Sequence, residues 1–398
     1  MKCLVFGTNI ELAHTKALAD AGNEVYYYTD YVSSFPSFDD YASGVGIDNI
    51  KKIHNPFTMI DKVDKILTFD VYYGDLFEYL RKQGKDVFGG GVACQLELDR
   101  KLLKNTLKIL KIPTPDYDVV KGFRNIKSPA IVKLSYFRGS AETFLIQNEA
   151  DKEAVINKLY REFGNYIDVM EFIVEKPIDT KNFIEIGIDA FFNEGFVFPM
   201  LLGLEYSKGC YIGRVVEKLT DLPKPMQQTM LALETALKKM NYKGMISTEE
   251  FVNIKTGEHY FLDITVRGAY PLSLAYPYWI TNYADVLLKD AKPKYKAKYV
   301  VAVPFSIEET KYQFVNVSFP ENDKRYQFEA LMKIKNKYSL PKQEQPVQGV
   351  VCEAFTSYNS TAAIFNTMQD LLSQVKAYSL QSEIEKLQVA LEEFKVVA

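Results

Sequence analysis

What most limits the fold of this chain is the alternation with which it opens. Cys3 to Phe6 is a short apolar run, Gly7 to Asn9 a turn, and Glu11 to Ala21 an apolar-periodic stretch closed by Gly22. Glu24 to Tyr28 is again strand-like, and the cycle repeats with Lys65 to Val71, the helical pattern Asp75 to Gln83 ending at Gly84, and Asp86 to Phe88. Near-continuous apolar strands separated by amphipathic helices are what a parallel sheet covered by helices requires. The pattern predicts an α/β chain with an N-terminal parallel-sheet domain over residues 1–94.

The triple glycine Gly89 to Gly91 leads into a predicted helix from Gln95 to Leu110, stopped ahead of Pro113 and Pro115. Residues 114–175 then read as a separate α+β lobe, with strands at Ala130–Leu134, Thr143–Gln147 and Tyr166–Val174 and a helix at Asp151–Phe163. Residues 176–297, together with 95–113, form a third unit. Its strands are Ile184–Phe192 and Phe196–Leu202, followed by a helix Lys224–Met240 and a hairpin that pairs Gly244–Asn253 with His259–Val266 around the Lys255-Thr-Gly257 turn. The remainder, 298–398, reads as a small α+β domain. It carries strands at Tyr299–Ser306, Tyr312–Ser318 and Val347–Phe355, and helices at Asn359–Tyr378 and Gln381–Phe394. At 398 residues the chain is too long for one core, so several lobes are expected.

Composition enters chiefly by what it excludes. Forty-eight Lys+Arg against 51 Asp+Glu leave a formal charge of -3, which advertises neither nucleic acid nor an anionic membrane as partner. A phosphate site, if present, is local. Cys3, Cys94, Cys210 and Cys352 lie far apart and suggest neither disulfides nor a zinc knuckle, which fits a reducing cytoplasm. His14, His54 and His259 stand in unrelated contexts, and no apolar run approaches membrane-spanning length.

The hairpin holds the strongest chemistry. Strand alternation puts Asp263, Thr265 and Arg267 on one face, and pairing across the turn is expected to bring Glu250 beside Asp263. Two carboxylates with a hydroxyl beside them suit Mg²⁺, which takes one or two carboxylates plus substrate phosphates, and Mn²⁺ is a possible substitute. Alone, such a strand is more often an amphipathic edge facing solvent. Lys133 closes the strand Pro129-Ala-Ile-Val-Lys133 just before a loop, Ser135 to Ser140, whose hydroxyls and Gly139 N–H suit phosphate. Lys101 and Lys104 read as ordinary solvated positions on a helix face, which leaves Arg100 as the basic residue of interest there.

The order of these elements resembles the ATP-grasp enzymes, and phosphoribosylamine-glycine ligase in particular. In that family a strand ending Glu-x-Asn-x-Arg, with another Glu about a dozen residues earlier, holds the metal; Asp263-Ile-Thr-Val-Arg267 with Glu250 looks like a variant of it. The resemblance implies an ATP-grasp core with residues 114–175 as its lid, ATP and Mg²⁺ as cofactors, and Arg100, Lys133, Ser135, Gly139 and Ser140 on the phosphates. It further implies Glu171, Phe172 and Ile173 as a hinge strand reading adenine, and Glu185 at the ribose. Metal ligands are then Glu250, Asp263 and Thr265, with Arg267, Lys133 and Arg214 as catalytic residues. Gly7 with Glu11-Leu-Ala-His14 is similar to the opening of phosphoribosylamine-glycine ligase.

The chain departs from these relatives in a glycine-poor lid loop and in two acceptor segments, Ser207-Lys-Gly-Cys-Tyr-Ile-Gly-Arg214 and Arg267-Gly-Ala-Tyr-Pro271. The expected activity is a cytoplasmic carboxylate-amine ligase, monomer or homodimer, forming an amide through an acyl-phosphate. Its partners are a small carboxylate and a small amine. Phosphoribosylamine-glycine ligase itself, and a nucleotide-binding regulatory protein without catalysis, stand beside that reading.

Overall fold

A computed structural model describes residues 1–8, 10–29, 42–135, 143–207, 210–308, 314–341, 347–377 and 379–398. The opening alternation forms the expected parallel sheet. Its strands are β1 (Lys2–Gly7), β2 (Glu24–Thr29), β3 (Ile50–Lys52), β4 (Lys65–Thr68) and β5 (Val87–Phe88), in the order β3-β2-β1-β4-β5 with every pair parallel. β1 is apolar along nearly its whole length because helices Leu12–Asp20 and Gly74–Lys82 leave its flanks no water. Lys65 in β4 is an exception, fully buried and held by Asp86 at 3.2 Å and Asp290 at 3.3 Å.

Residues 117–175 build a second, antiparallel sheet with its own core. β6 (Tyr117–Lys121), β7 (Ala130–Lys133), β8 (Thr143–Ile146) and β9 (Glu171–Glu175) run in the order β6-β9-β7-β8. The helix Glu149–Phe163 is capped by Asn148, whose Oδ1 accepts from the N–H groups of Ala150 and Asp151. Phe123, Phe144 and Phe172 meet edge to face at the centre of that core.

The largest sheet has nine strands among the described residues. β10 (Ile184–Asn193), β11 (Phe196–Ser207), β12 (Cys210–Val216), β13 (Lys243–Val252) and β14 (His259–Thr265) form one half. Further along the chain, β15 (Tyr299–Ser306), β16 (Phe314–Val317), β17 (Tyr326–Phe328), β18 (Met332–Ile334), β19 (Lys337–Pro341), β20 (Val347–Phe355) and β21 (Gln381–Ser382) follow. The order is β14-β13-β10-β11-β12-β15-β20-β17, with β21 on β15 and a separate small sheet β16-β19-β18. The segment expected as a separate C-terminal domain therefore donates strands to the same sheet as the hairpin. β15 pairs with β12 along Tyr211–Arg214, and its burial on both faces explains why it reads as an unbroken apolar run. No helix among the described residues is long and apolar enough to cross a membrane.

The helix expected from Gln95 to Leu110 is broken at Asp99 into Gln95–Leu98 and Arg100–Leu110. Asp99 is extended, and its Oδ1 accepts from the N–H groups of Lys101 and Leu102, both at 3.0 Å. Periodicity runs through the break, but an aspartate that can cap a new helix competes with continuing the old one. Asp99 thereby fixes where Arg100 leaves the backbone. Replacing it by alanine is expected to cost about 1 kcal/mol in a urea melt; an unchanged midpoint would show that the break is held by packing instead.

Candidate functional site

The hairpin turn is built locally. Asn253 Oδ1 accepts from the N–H groups of Lys255 and Thr256, and Gly257 takes a positive φ of 77° that other residues rarely adopt. From this turn the two strands zip in register, Val252 opposite His259, Phe251 opposite Tyr260 and Glu250 opposite Phe261. The register then shifts by one: Glu249 stands opposite Asp263, Thr248 opposite Ile264 and Ser247 opposite Thr265. Leu262 is the extra residue of a β-bulge.

That shift overturns the pairing expected of Glu250. The partner of Asp263 is Glu249, which is exposed within a cleft, whereas Glu250 points to the opposite, buried face beside Phe261. Alternation read from the turn without a bulge cannot see this, because one extra residue reverses every later side chain. Thr265 does share the face of Asp263.

The cations brought against this hairpin come from the second sheet, through Lys133, and from the helix Arg100–Leu110, through Arg100 and Lys104. Lys133, at the end of β7, donates to the carbonyl of Leu262 at 2.9 Å and lies 3.4 Å from Glu175 Oε2. Arg100 pairs directly with Asp263, and its backbone N–H donates to Ser135 Oγ at 3.1 Å. Lys104, expected on a solvated face, is instead 2% exposed and 2.5 Å from Glu175 Oε1. Burial pushes Lys104 below the usual lysine range, and Lys133 adds to this while Glu175 opposes it. One glutamate, itself 2% exposed, therefore binds two lysines from different elements.

The carboxylates sense each other. Loss of solvation, then repulsion from Asp263, Glu205 and Glu185, lifts the Glu249 carboxyl to about 8 despite the opposing charge of Lys133. Asp263 goes the other way: burial raises it, but Arg100 and Lys133 outweigh that and hold it well below the usual carboxylate range. Glu185, in β10, is exposed in the cleft, raised by its surroundings and lowered by Lys133. Glu205 and Glu175 were missed in the sequence; neither stands in a motif, and only the sheet order reveals them.

Other expected site residues lie elsewhere. Phe172 and Ile173 are buried in the second sheet, and Glu171 pairs at its exposed side with Lys101 at 3.0 Å. Ile173 stands opposite Lys133 in that sheet, and the strand that carries all three ends at Glu175. Arg267 is held by Glu97, with Nε at 3.1 Å from Oε1, and donates to the carbonyl of Gly268, while Asp70 lies 3.8 Å away. Arg214 points away from the cleft, donating to the carbonyls of Val397 at 2.6 Å and Asp221 at 2.8 Å, because it alternates with Tyr211 and Gly213 along β12. Gly139 and Ser140 lie outside the described residues.

No group of three His, Cys, Asp or Glu residues among the described residues is arranged to hold a metal ion by itself. Glu249 and Asp263 fit Mg²⁺ in its usual manner, with one or two carboxylates and the remaining oxygens from substrate and water. Their repulsion, visible in the raised Glu249, is what a divalent cation relieves.

The parallel N-terminal sheet, the four-stranded antiparallel sheet and the nine-stranded sheet together make the architecture of the ATP-grasp fold. Solved structures bear this out at the level of fold. Phosphoribosylamine-glycine ligase of Thermotoga maritima matches with a TM-score of 0.69 at 15% identity, over 96% of this chain and 99% of that one. Biotin carboxylase of Campylobacter jejuni, in its ATP-analogue complex, gives 0.65 at 14% identity, over 98% and 95%. The biotin carboxylase domain of Hydrogenobacter thermophilus 2-oxoglutarate carboxylase, solved with MgADP, ADP and bicarbonate, gives 0.67 at 13% identity, over 100% and 95%. No protein-family model and no curated protein matches the sequence.

The Glu249 carboxyl has a consequence for stability. A carboxyl whose pKa is raised on folding binds its proton more tightly in the folded chain, so its contribution to stability is lost as pH rises from the ordinary glutamate range through about 8. Glu249→Gln lacks that loss and should gain on the wild type in metal-free urea melts as pH rises from roughly 5 to roughly 9. Glu11, also near 8, is common to both proteins and cancels. Parallel pH profiles for the two would count against a crowded carboxylate here.

Proposed function

We propose that the chain is an ATP- and Mg²⁺-dependent ligase that joins a small carboxylate to a small amine. The observation that carries this reading is the convergence of Glu249 and Asp263 on one wall with Lys133 and Arg100 on the other. In the proposed reaction a substrate carboxylate oxygen attacks the γ-phosphorus of ATP and the bond to the β-bridging oxygen breaks, releasing ADP. The amine nitrogen then attacks the acyl carbon, phosphate leaves with the bonding pair, and the nitrogen loses a proton to give the amide.

The residues act by position and charge more than by acid-base chemistry. Lys133 is a compact charge for the phosphates, fixed by Glu175 and the Leu262 carbonyl. Arg100 offers a fork for a second phosphate oxygen, and Ser135 ties the start of the lid loop to its helix. Glu185 would take the ribose hydroxyls, and the backbone of Glu171, Phe172 and Ile173 would read the adenine edge. Mg²⁺ held by Glu249 and Asp263 would neutralise charge on the triphosphate. The resemblance to phosphoribosylamine-glycine ligase makes glycine and an amino-sugar phosphate the first pair to test, and the changed segment Arg267-Gly-Ala-Tyr-Pro271 keeps that pair a proposal.

Phosphate release from ATP should depend on both substrates together and on Mg²⁺. Lys133→Ala is expected to weaken ATP binding by about tenfold or more, an effect of about 1.4 kcal/mol, and to lower the melting temperature, since buried Glu175 keeps only Lys104 as its partner. Asp263→Asn and Glu249→Gln should each abolish turnover, whereas Thr265→Asn is tolerated, since an amide carbonyl is at least as good a ligand as a hydroxyl. Full turnover in Asp263→Asn, or wild-type ATP affinity in Lys133→Ala, would overturn the assignment of the cleft.

A further inference from the structure

Behind the carboxylate pair, on the buried face of the same hairpin, lies a polar contact that the proposed reaction does not use. Glu250 is 0% exposed. Its Oε1 accepts from Thr248 Oγ1 at 3.1 Å, and its Oε2 lies 3.1 Å from His259 Nε2. Thr248 Oγ1 in turn accepts from the Ile188 N–H at 3.3 Å, and His259 Nε2 is 2.9 Å from Thr229 Oγ1 on the helix Lys224–Lys239. A carboxylate taken wholly out of water is strongly penalised unless paired, and an apolar side chain opposite Phe261 would avoid the penalty.

The place of this glutamate along the strands gives it a purpose. Continued without interruption from the turn, the register would set Leu262 opposite Glu249 and Asp263 opposite Thr248, carrying Asp263 to the buried face. The bulge at Leu262 prevents this. Glu250 is the last residue on the turn side of the shift, His259 lies beyond it towards the turn, and Thr248 lies on the far side. Glu250 thus accepts a hydrogen bond on one side of the bulge and lies against His259 on the other, while helix Lys224–Lys239 and β10 brace these two neighbours.

We propose that Glu250, with His259 and Thr248, is a positioning residue that fixes the bulge and thereby holds Glu249 and Asp263 on one face to receive a divalent cation. The same bulge presents the Leu262 carbonyl to Lys133. The inference rests on the metal reading of the cleft given above, and goes beyond it by assigning the register that creates the site to buried polar contacts on its reverse side.

Isothermal titration of ADP, with and without MgCl₂, tests it on the intact chain. In Glu250→Gln and His259→Gln the affinity for metal-free ADP should stay within about twofold of wild type, while the enhancement by Mg²⁺ should fall by about tenfold or more, as for residues that orient metal ligands from behind. The double variant should lose little more than either single one, since both break one contact. Thr248→Val supplies the same measurement should Glu250→Gln fail to fold. Undiminished Mg²⁺ enhancement in these variants, or an equal fall in metal-free affinity, would overturn the proposal. Glu249→Gln separates the two levels. If it keeps the enhancement, or wild type has none, the cleft reading itself is wrong; if it loses the enhancement while Glu250→Gln keeps it, only the positioning role is.

Discussion

One additional residue in one strand decides what this cleft can do. The bulge at Leu262 sets Asp263 opposite Glu249, turns the Leu262 carbonyl towards Lys133, and leaves Phe261, Ile264 and Val266 in the core. Because side chains alternate with a period of two, no gradual distortion reaches the same arrangement. The acidic wall is a consequence of register, and register is a property of contacts on both faces of the sheet. Charge on the open face and the buried Glu250 on the other are therefore parts of one construction.

The basic wall is organised by a complementary device. Glu175 sits between Lys104 and Lys133, and each partner belongs to a different piece of the chain: the helix after Asp99, the strand before the lid loop, and the strand from which the chain leaves the lid sheet. Burying two ammonium groups and one carboxylate is unfavourable unless each is paired. The three elements are thus tied to a single arrangement, and the surplus positive charge is directed at the cleft. Arg100 adds to that surplus and is drawn towards Asp263.

Most of the fold was legible because it is written in periodicities. The parallel N-terminal sheet, the antiparallel second sheet and the hairpin all follow from runs of alternating or continuous apolar residues and from local turn chemistry at Gly257 and Asn253. What was not legible depended on tertiary contacts. Lys104 sits on a helix face that looks solvated until β9 brings Glu175 against it. Arg214 lies in a glycine-bearing segment suited to substrate, yet its strand position turns it to backbone carbonyls near the C-terminal end. The strands after residue 298 read as a separate domain because nothing local shows that β15 pairs with β12.

Arg267 belongs to a polar network outside the carboxylate pair. It follows the hairpin directly, yet its guanidinium is engaged by Glu97 and approached by Asp70, not aimed at Glu249. Asp70 accepts from Thr8 Oγ1, which also donates to Glu11, and burial followed by repulsion from Asp70 pushes Glu11 to about 8. A chain of polar contacts thus runs from the end of the metal hairpin to the first turn of the N-terminal sheet. Polar groups this buried are held by one another, and the network joins the end of the hairpin to the N-terminal sheet.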